Sequence, residues 1–386
     1  MLDRVFLLVT SPDARGGIAR ATATLANSLA KTHRVEMIAI RRRGGGPRYP
    51  LDPNVSVRCA LDEATPDERP LAKLPSETPR GDRTGSYSAL ADRVLPRVLG
   101  ALPPGIIIST RAVLHLEIAR HAPAHCIKIA QDHVNLDFRE AKSSLEPIAQ
   151  AIGDLDAYVV LTEADAESYR QRFPAAADRI HVIRNPAPWP VLASSPERKK
   201  IIVGVGKLGG RKGFDRLIDA YRPLAKRRPD WQLHIYGGGP AQGKLAALIA
   251  KRNLGDVVFL KGQSDRIEQV LEEASILALT SRYEGLPMVL IEAMTKGLPI
   301  VSVDCPHGPA EIVVDDVTGR LVPNDDLAAI SNALLDLIDH PETRARMSGQ
   351  ALRHAEQYQP DRITRAWLDL FESLSAGRST VQGVAG

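Results

Sequence analysis

Two carboxylates eight positions apart, Glu284 and Glu292, open the chemistry of this chain. They bracket the stretch Glu284-Gly-Leu-Pro-Met-Val-Leu-Ile-Glu292, in which a Gly-Leu-Pro turn follows the first acid. Residues 276–280 (ILALT) read as a buried strand, and Ser281-Arg-Tyr-Glu284 as the loop leaving it. Pro287 suits the first turn of a helix, where its missing N–H costs nothing. That helix carries Val289, Leu290, Ile291, Ala293 and Met294 and places Glu292 about two turns in. In open α/β sheets, ligands bind outside the carboxyl ends of strands, beside helix N-termini. Both acids are expected at such an edge. The plainer alternative is two surface carboxylates, one favoured by the helix dipole.

Other residues at strand ends could serve a phosphorylated ligand. Gly206-Lys-Leu-Gly-Gly-Arg-Lys-Gly-Phe214 follows a strand and opens a helix. Its glycines let backbone approach a ligand, and Lys207, Arg211 and Lys212 with the helix N-terminus could hold a diphosphate. A basic solvated turn is the competing reading. Arg15-Gly16-Gly17-Ile18 stands between a strand and a helix, either as a phosphate or sugar contact or as a plain turn. His133 in Gln131-Asp-His133 follows the strand CIKIA; it could bond a substrate hydroxyl or fill a structural place. In Tyr236-Gly-Gly-Gly-Pro240, Gly238 or Gly239 could flank a nucleotide. Asp154 and Asp156 invite a metal, but they precede the strand AYVVL and so face away from the ligand edge. The basic run from Arg41 to Arg48 is either solvated or touches an anionic acceptor or lipid headgroups.

These residues need a scaffold, and the alternation of short apolar runs with amphipathic segments supplies one. Strands are expected at 5–9, 35–40, 106–109, 126–130, 157–161 and 181–183, with a helix over 18–31. A second series follows at 200–205, 232–236, 257–260, 276–280, 299–303 and 319–322. Helices near 214–226, 243–252, 266–274, 287–295 and 326–339 separate these strands, the pattern of parallel βαβ units. The expected class is α/β, with two Rossmann-like domains facing a cleft. The divisions are residues 1–188, a Pro-rich linker 189–199, residues 200–358, and a helix with a frayed tail over 359–386. Residues 62–86 read as a long surface loop.

Composition excludes several classes. A chain of 386 residues with 44% hydrophobic residues suits two cored domains. Aromatics at 4% give no stacking surface for single-stranded nucleic acid, and a net charge of +4 is too mild for a nucleic-acid protein. Cys59, Cys126 and Cys305 are widely spaced, odd in number and outside metal spacing, which fits buried thiols in a reducing compartment. The apolar run at the start is too short for a signal peptide, and no stretch of about 18 apolar residues suggests a membrane span. A cytoplasmic protein is expected.

Taken in order, the motifs resemble those of family 4 retaining glycosyltransferases of GT-B fold, over nearly the whole chain and most strongly over residues 200–325. GKLGGRKG is similar to the family's Gly-Arg-Leu-x-x-x-Lys-Gly segment, with Lys207 in the arginine position. Glu284 and Glu292 match its Glu-x7-Glu element; residues 297–301 and 319–323 match two elements downstream. Gly16-Gly17 and His133 match the N-domain glycines and a mid-domain histidine. The resemblance implies that Lys207 and Lys212 bind the donor diphosphate and that Gly17, next to Gly16, lies close to it. Gly238 would belong to the donor site, and Glu292 would bind the ribose. It also implies that Glu284, Gly285 and Leu286 contact the donor sugar, and that His133 meets a sugar hydroxyl. Lysine at 207 keeps the charge but loses the bidentate fork.

The resemblance thus implies a retaining, metal-independent hexosyltransferase that uses no cofactor. Its donor is a nucleotide diphosphate sugar, expected to be UDP-linked, and Glu284, Lys212 and His133 carry the catalytic roles. The acceptor is expected to be a glycan, polyol-phosphate or small molecule, with peripheral membrane contact through the basic N-domain and no nucleic-acid partner. A nucleotide-sugar epimerase and a non-catalytic scaffold remain as alternatives on the same fold. A dinucleotide dehydrogenase is disfavoured, because no Gly-x-Gly-x-x-Gly carries its acid at the proper distance.

Overall fold

The computed structural model describes residues 2–42, 44–77, 87–142, 144–192 and 197–384, with side chains to Arg378. The chain divides into two compact units, Met1–Pro186 with Pro360–Gly386, and Ala187–Gln359. Each is built on one parallel sheet.

In the first unit the strands are β1 (Arg4–Val9), β2 (Arg34–Ala39), β3 (Val55–Cys59), β4 (Ile106–Ser109), β5 (Ile127–Gln131), β6 (Ala157–Val160) and β7 (Ile180–Val182), in the order β3-β2-β1-β4-β5-β6-β7. In the second they are β8 (Ile201–Val205), β9 (Gln232–Tyr236), β10 (Val258–Gly262), β11 (Ile276–Leu279), β12 (Ile300–Asp304) and β13 (Gly319–Pro323), in the order β10-β9-β8-β11-β12-β13. The central strands β4 (IIIS) and β11 (ILAL) are buried along their whole length. Helices cover both faces of such a strand, so its sequence is a continuous apolar run and not an alternation.

Strand order places the sites. It reverses between β1 and β4 in the first unit and between β8 and β11 in the second. At a reversal the loops leaving the two neighbouring strands run to opposite faces and open a crevice. The loop after β8 begins at Gly206, and the loop after β11 leads to Glu284.

The helix Gly17–Leu29 buries Leu25, Ala26 and Leu29 against the first sheet. The last helix, Pro360–Val384, packs Ile363, Trp367, Leu370 and Phe371 into that same core. Lys31 meets Asp361 at 2.8 Å, and Arg378 meets Asp156 at 2.6 Å. The chain end thus returns to the first unit, and Asp156 also accepts the Lys128 N–H at 2.7 Å. Asp156 is thus held between the last helix and the start of β5. The helix runs to Val384, over most of the stretch expected as a tail.

The polar stretch expected as a loop carries local order. It contains short turns at Ala60–Glu63 and Arg69–Lys73, braced by Glu68 with Arg97 at 3.0 Å. Its portion 78–86 lies outside the described residues, as do Arg43 of the basic run and residues 193–196 of the linker. On either side of that gap the linker is stitched to the second unit. Leu192 N–H donates to the Thr295 carbonyl at 2.9 Å, and Arg198 donates to the carbonyls of Leu271, Glu272 and Ala274. All three cysteines are free and buried. Among the described residues no helix is long and apolar enough to cross a membrane.

Candidate active site

The second unit gathers its candidates at the β8/β11 reversal. Gly206 N–H donates to the Tyr236 carbonyl at 2.9 Å, and Leu208 N–H to that of Gly238 at 3.0 Å, so the two glycine loops lie edge to edge. Gly213 ends the first loop at φ 61°, and a Cβ there would stand 2.0 Å from the Thr280 carbonyl oxygen. Only glycine lets the loop after β8 press against the loop after β11 at this point. Arg282 fastens the two together. Its N–H donates to the Arg211 carbonyl at 2.8 Å, its Nη1 to that of Gly210 at 2.6 Å, and its guanidinium forks onto Asp215 at 2.6 and 3.1 Å.

Held this way, Lys212 meets Glu284. Nζ lies 2.5 Å from Oε1, and Ser281 Oγ donates to the same oxygen at 2.6 Å. Glu284 is 4% exposed. Burial alone would raise its carboxyl, but Lys212, Arg211 and the bonds from Lys212 and Ser281 outweigh that and hold it below the ordinary carboxylate value. Lys207 and Arg211 are exposed beside this pair, whose lysine is half-buried and whose carboxylate is buried. The helix Phe214–Arg227 begins immediately after Gly213, so its first amides add partial positive charge to the same edge.

Glu292 is buried as well. Its depth differs from the sequence reading. Pro287 serves as the N-cap with ψ 92°, the helix runs Met288–Thr295, and Glu292 is its fifth residue, about one turn in. Gly285 and Leu286 line the turn before it. At Gly308 (φ 89°) a Cβ would meet the Gly285 carbonyl oxygen at 1.9 Å, so the loop after β12 lies directly on that turn.

Gly16, Gly17 and His133 belong to the first unit. Gly16 caps the helix Gly17–Leu29 at φ 113°, with open space where a side chain would stand. Its N–H donates to Tyr49 Oη at 3.1 Å. His133 is half-buried, while its Nε2 is shielded and without a hydrogen-bond partner among the described residues. Burial pushes the imidazole down to about 4; Asp132 opposes that shift, and Arg111 and Arg139 reinforce it. The ring is therefore neutral at pH 7.

Behind His133 lies a network the sequence did not reveal. Asp132 pairs with buried Arg139 at 2.5 and 3.0 Å and accepts from Tyr158 Oη at 2.8 Å and Tyr169 Oη at 3.0 Å. Burial would raise this carboxyl, but Arg139 outweighs it and holds Asp132 well below the ordinary carboxylate value. The one legible signal was an aspartate at the end of a buried strand, which requires a cation.

The comparisons with known proteins fit this geometry. Residues 15–188 match the family model "Glycosyltransferase Family 4", and residues 192–354 match "Glycosyl transferases group 1". The chain belongs to the family 4 glycosyltransferases. It is 30% identical over 396 residues to an exopolysaccharide phosphotransferase of Streptomyces coelicolor, covering 99% of this chain and 42% of the relative. It is 27% identical over 381 residues to the amylovoran biosynthesis glycosyltransferase AmsD of Erwinia amylovora, covering 95% of this chain and 99% of AmsD. The chain thus spans less than half of the first relative and nearly all of the second.

Among solved structures, a mutant Staphylococcus aureus TarM in complex with fondaparinux, alpha-GlcNAc-glycerol and UDP superposes with a TM-score of 0.79. The identity is 17%, over 96% of this chain and 100% of that one, a likeness of fold. The fold is GT-B, with two parallel-sheet Rossmann-like domains. In this family member, Lys212 and Glu284 are in direct contact, and Gly285, Leu286 and Glu292 follow on the same turn and helix. Arg282 and Asp215, which brace the basic loop, were not legible as a pair because 67 positions separate them.

Proposed function

We propose that this glycosyltransferase moves a hexosyl group, of glucose or N-acetylhexosamine type, from a UDP-linked donor to a hydroxyl of a cell-surface polymer or its lipid-linked precursor. The reading includes retention at the anomeric carbon and no requirement for a metal. The observation that carries it is the ion pair of half-buried Lys212 with buried Glu284 at the β8/β11 reversal, fronted by Lys207, Arg211 and a helix N-terminus.

In transfer, the bond between the anomeric carbon and the diphosphate oxygen breaks, and its electron pair leaves with the diphosphate. Charge develops on that oxygen, where preorganised positive groups lower the barrier most. Lys212 and Lys207, with the amides opening the helix at Phe214, are the groups assigned to it. The sugar becomes oxocarbenium-like, and ionised Glu284 faces its positive side. The acceptor oxygen bonds to the anomeric carbon from the face the diphosphate leaves, and its proton passes to the departing phosphate oxygen. Glu292 holds the ribose hydroxyls, Gly16 and Gly17 lie by the diphosphate, Gly238 lies in the donor site, and neutral His133 meets a sugar hydroxyl.

UDP in the TarM complex supports the choice of base, and the words exopolysaccharide and amylovoran in the relatives' names support a polymer acceptor. Action at the cytoplasmic membrane face, with the run Arg41–Arg48 against anionic headgroups, belongs to the same proposal.

The test is incubation with UDP-glucose and UDP-N-acetylglucosamine in EDTA, with polyol-phosphate and lipid-linked glycan acceptors, followed by proton NMR of the product. An α-linked product from the α-donor, formed at full rate in EDTA, is expected. A β-linked product would refute retention, and turnover only on addition of Mg²⁺ or Mn²⁺ would refute metal independence.

A further inference from the structure

The shielded Nε2 of His133 is a polar atom with nothing among the described residues to satisfy it. A buried donor or acceptor left unmade is costly, so such an atom points to a ligand. Whether it donates or accepts depends on where the ring carries its single proton.

Two buried amides decide that question. Asn185, just past β7 and 3% exposed, presents Nδ2 to His133 Nδ1 at 3.4 Å. Gln131, at the end of β5 and 2% exposed, donates from Nε2 to Asn185 Oδ1 at 3.3 Å. An amide nitrogen only donates, so the ring nitrogen facing it accepts. Gln131 holds the Asn185 oxygen on its own side and so keeps the Asn185 nitrogen turned to the ring.

We propose that Gln131 and Asn185 are positioning residues that fix His133 as the Nε2–H tautomer, so that the ring meets its ligand as a hydrogen-bond donor. The ligand's partner atom is then an acceptor, an oxygen lone pair of the sugar. The functional half of this inference rests on the reading of His133 as a donor-sugar contact; the tautomeric half does not.

Gln131→Glu separates the relay from simple packing. A carboxylate at 131 only accepts, so Asn185 must turn Nδ2 towards it and Oδ1 towards the ring. The proton then moves to Nδ1, although the altered residue does not touch His133. Asn185→Asp has the same effect one step closer.

The experiment is nitrogen-15 NMR of the histidine-labelled full chain at pH 7, with His133 assigned by its loss in His133→Gln, alongside kcat/KM for the sugar donor. The expected wild-type spectrum has Nε2 protonated and Nδ1 bare, reversed in Gln131→Glu and Asn185→Asp, with kcat/KM lowered about ten-fold in both. Thermal unfolding checks that each variant is folded. A wild-type ring protonated on Nδ1 would overturn the inference, and that result needs no variant to fold. A reversed tautomer with unchanged kcat/KM would uphold the relay and overturn the placement of His133 at the sugar.

Discussion

Lys212→Ala is expected to lower kcat/KM by about a hundred- to a thousand-fold, the range seen when one preorganised charge-stabilising donor is removed. It is also expected to cost about 3–5 kcal/mol of stability at neutral pH, because it strands a buried carboxylate. Glu284 is 4% exposed, and Lys212 is its direct ion-pair partner at 2.5 Å.

The pH dependence comes from the sign of the carboxyl shift. In the wild type Glu284 is held below its ordinary value of 4.5, so its pairing contributes stability above that pH and the contribution fades in acid. Without Lys212 the burial effect faces less opposition, and the carboxyl moves upward. The stability gap between wild type and variant should then be widest at high pH and narrow as acid protonates Glu284. Urea unfolding at a series of pH values measures this gap. The double variant Lys212→Met with Glu284→Gln removes both charges and should recover much of the stability while staying inactive. Near-normal turnover in Lys212→Ala would remove Lys212 from the leaving-group role.

The second large effect is steric. Gly213→Ala is expected to cost more than about 4 kcal/mol, or to leave no soluble protein, a loss confined to a few named mechanisms. The φ of 61° accounts for roughly 1 kcal/mol of this, since non-glycine residues enter the left-handed region at a cost. The larger share comes from the Thr280 carbonyl oxygen, 2.0 Å from the new Cβ, which is backbone at the end of a buried strand and cannot swing aside. Gly209 and Gly210, in the same loop, have nothing within 4 Å of a Cβ. Alanine at either should change stability by less than about 0.5 kcal/mol. Comparing Tm across the three variants tests whether close approach of the β8 and β11 loops, and not general flexibility, demands glycine.

The parts of this fold legible in the sequence are those whose burial writes a local pattern. ILALT and IIIS are apolar up to their last residue because helices cover both faces of their strands, and QLHIY falls at its expected residues. Val55–Cys59 escaped because an edge strand of five residues with exposed positions writes no such run. The helix Glu163–Arg172 (EADAESYRQR) is charged almost all round and shows no apolar face, and Ala89–Gly100 carries Pro96 inside it. Neither announces itself locally. Pro287 was placed one position too deep, since a residue fixed near φ −65° suits a cap as well as a first turn.

Of the candidate site, the placing of Glu284, Glu292 and the basic glycine loop at strand ends and helix starts was legible from the local pattern. The bond from Lys212 to Glu284 spans 72 positions, and the Asp132 cluster draws Arg139, Tyr158 and Tyr169 from three separate elements. Contacts of that kind are set by topology and leave no local spacing to read.

Metal-free UDP binding at Lys212 is tested by thermal unfolding of the full chain with UDP in EDTA, beside Lys212→Ala under the same conditions. Ligand at about a hundred times its Kd stabilises the native state by about 2.7 kcal/mol. For a unit of this size that raises Tm by roughly 5–10 °C. That rise is expected for the wild type without any metal, and most of it should be lost in Lys212→Ala. No rise with UDP or any UDP-sugar, or an equal rise in both proteins, would contradict it.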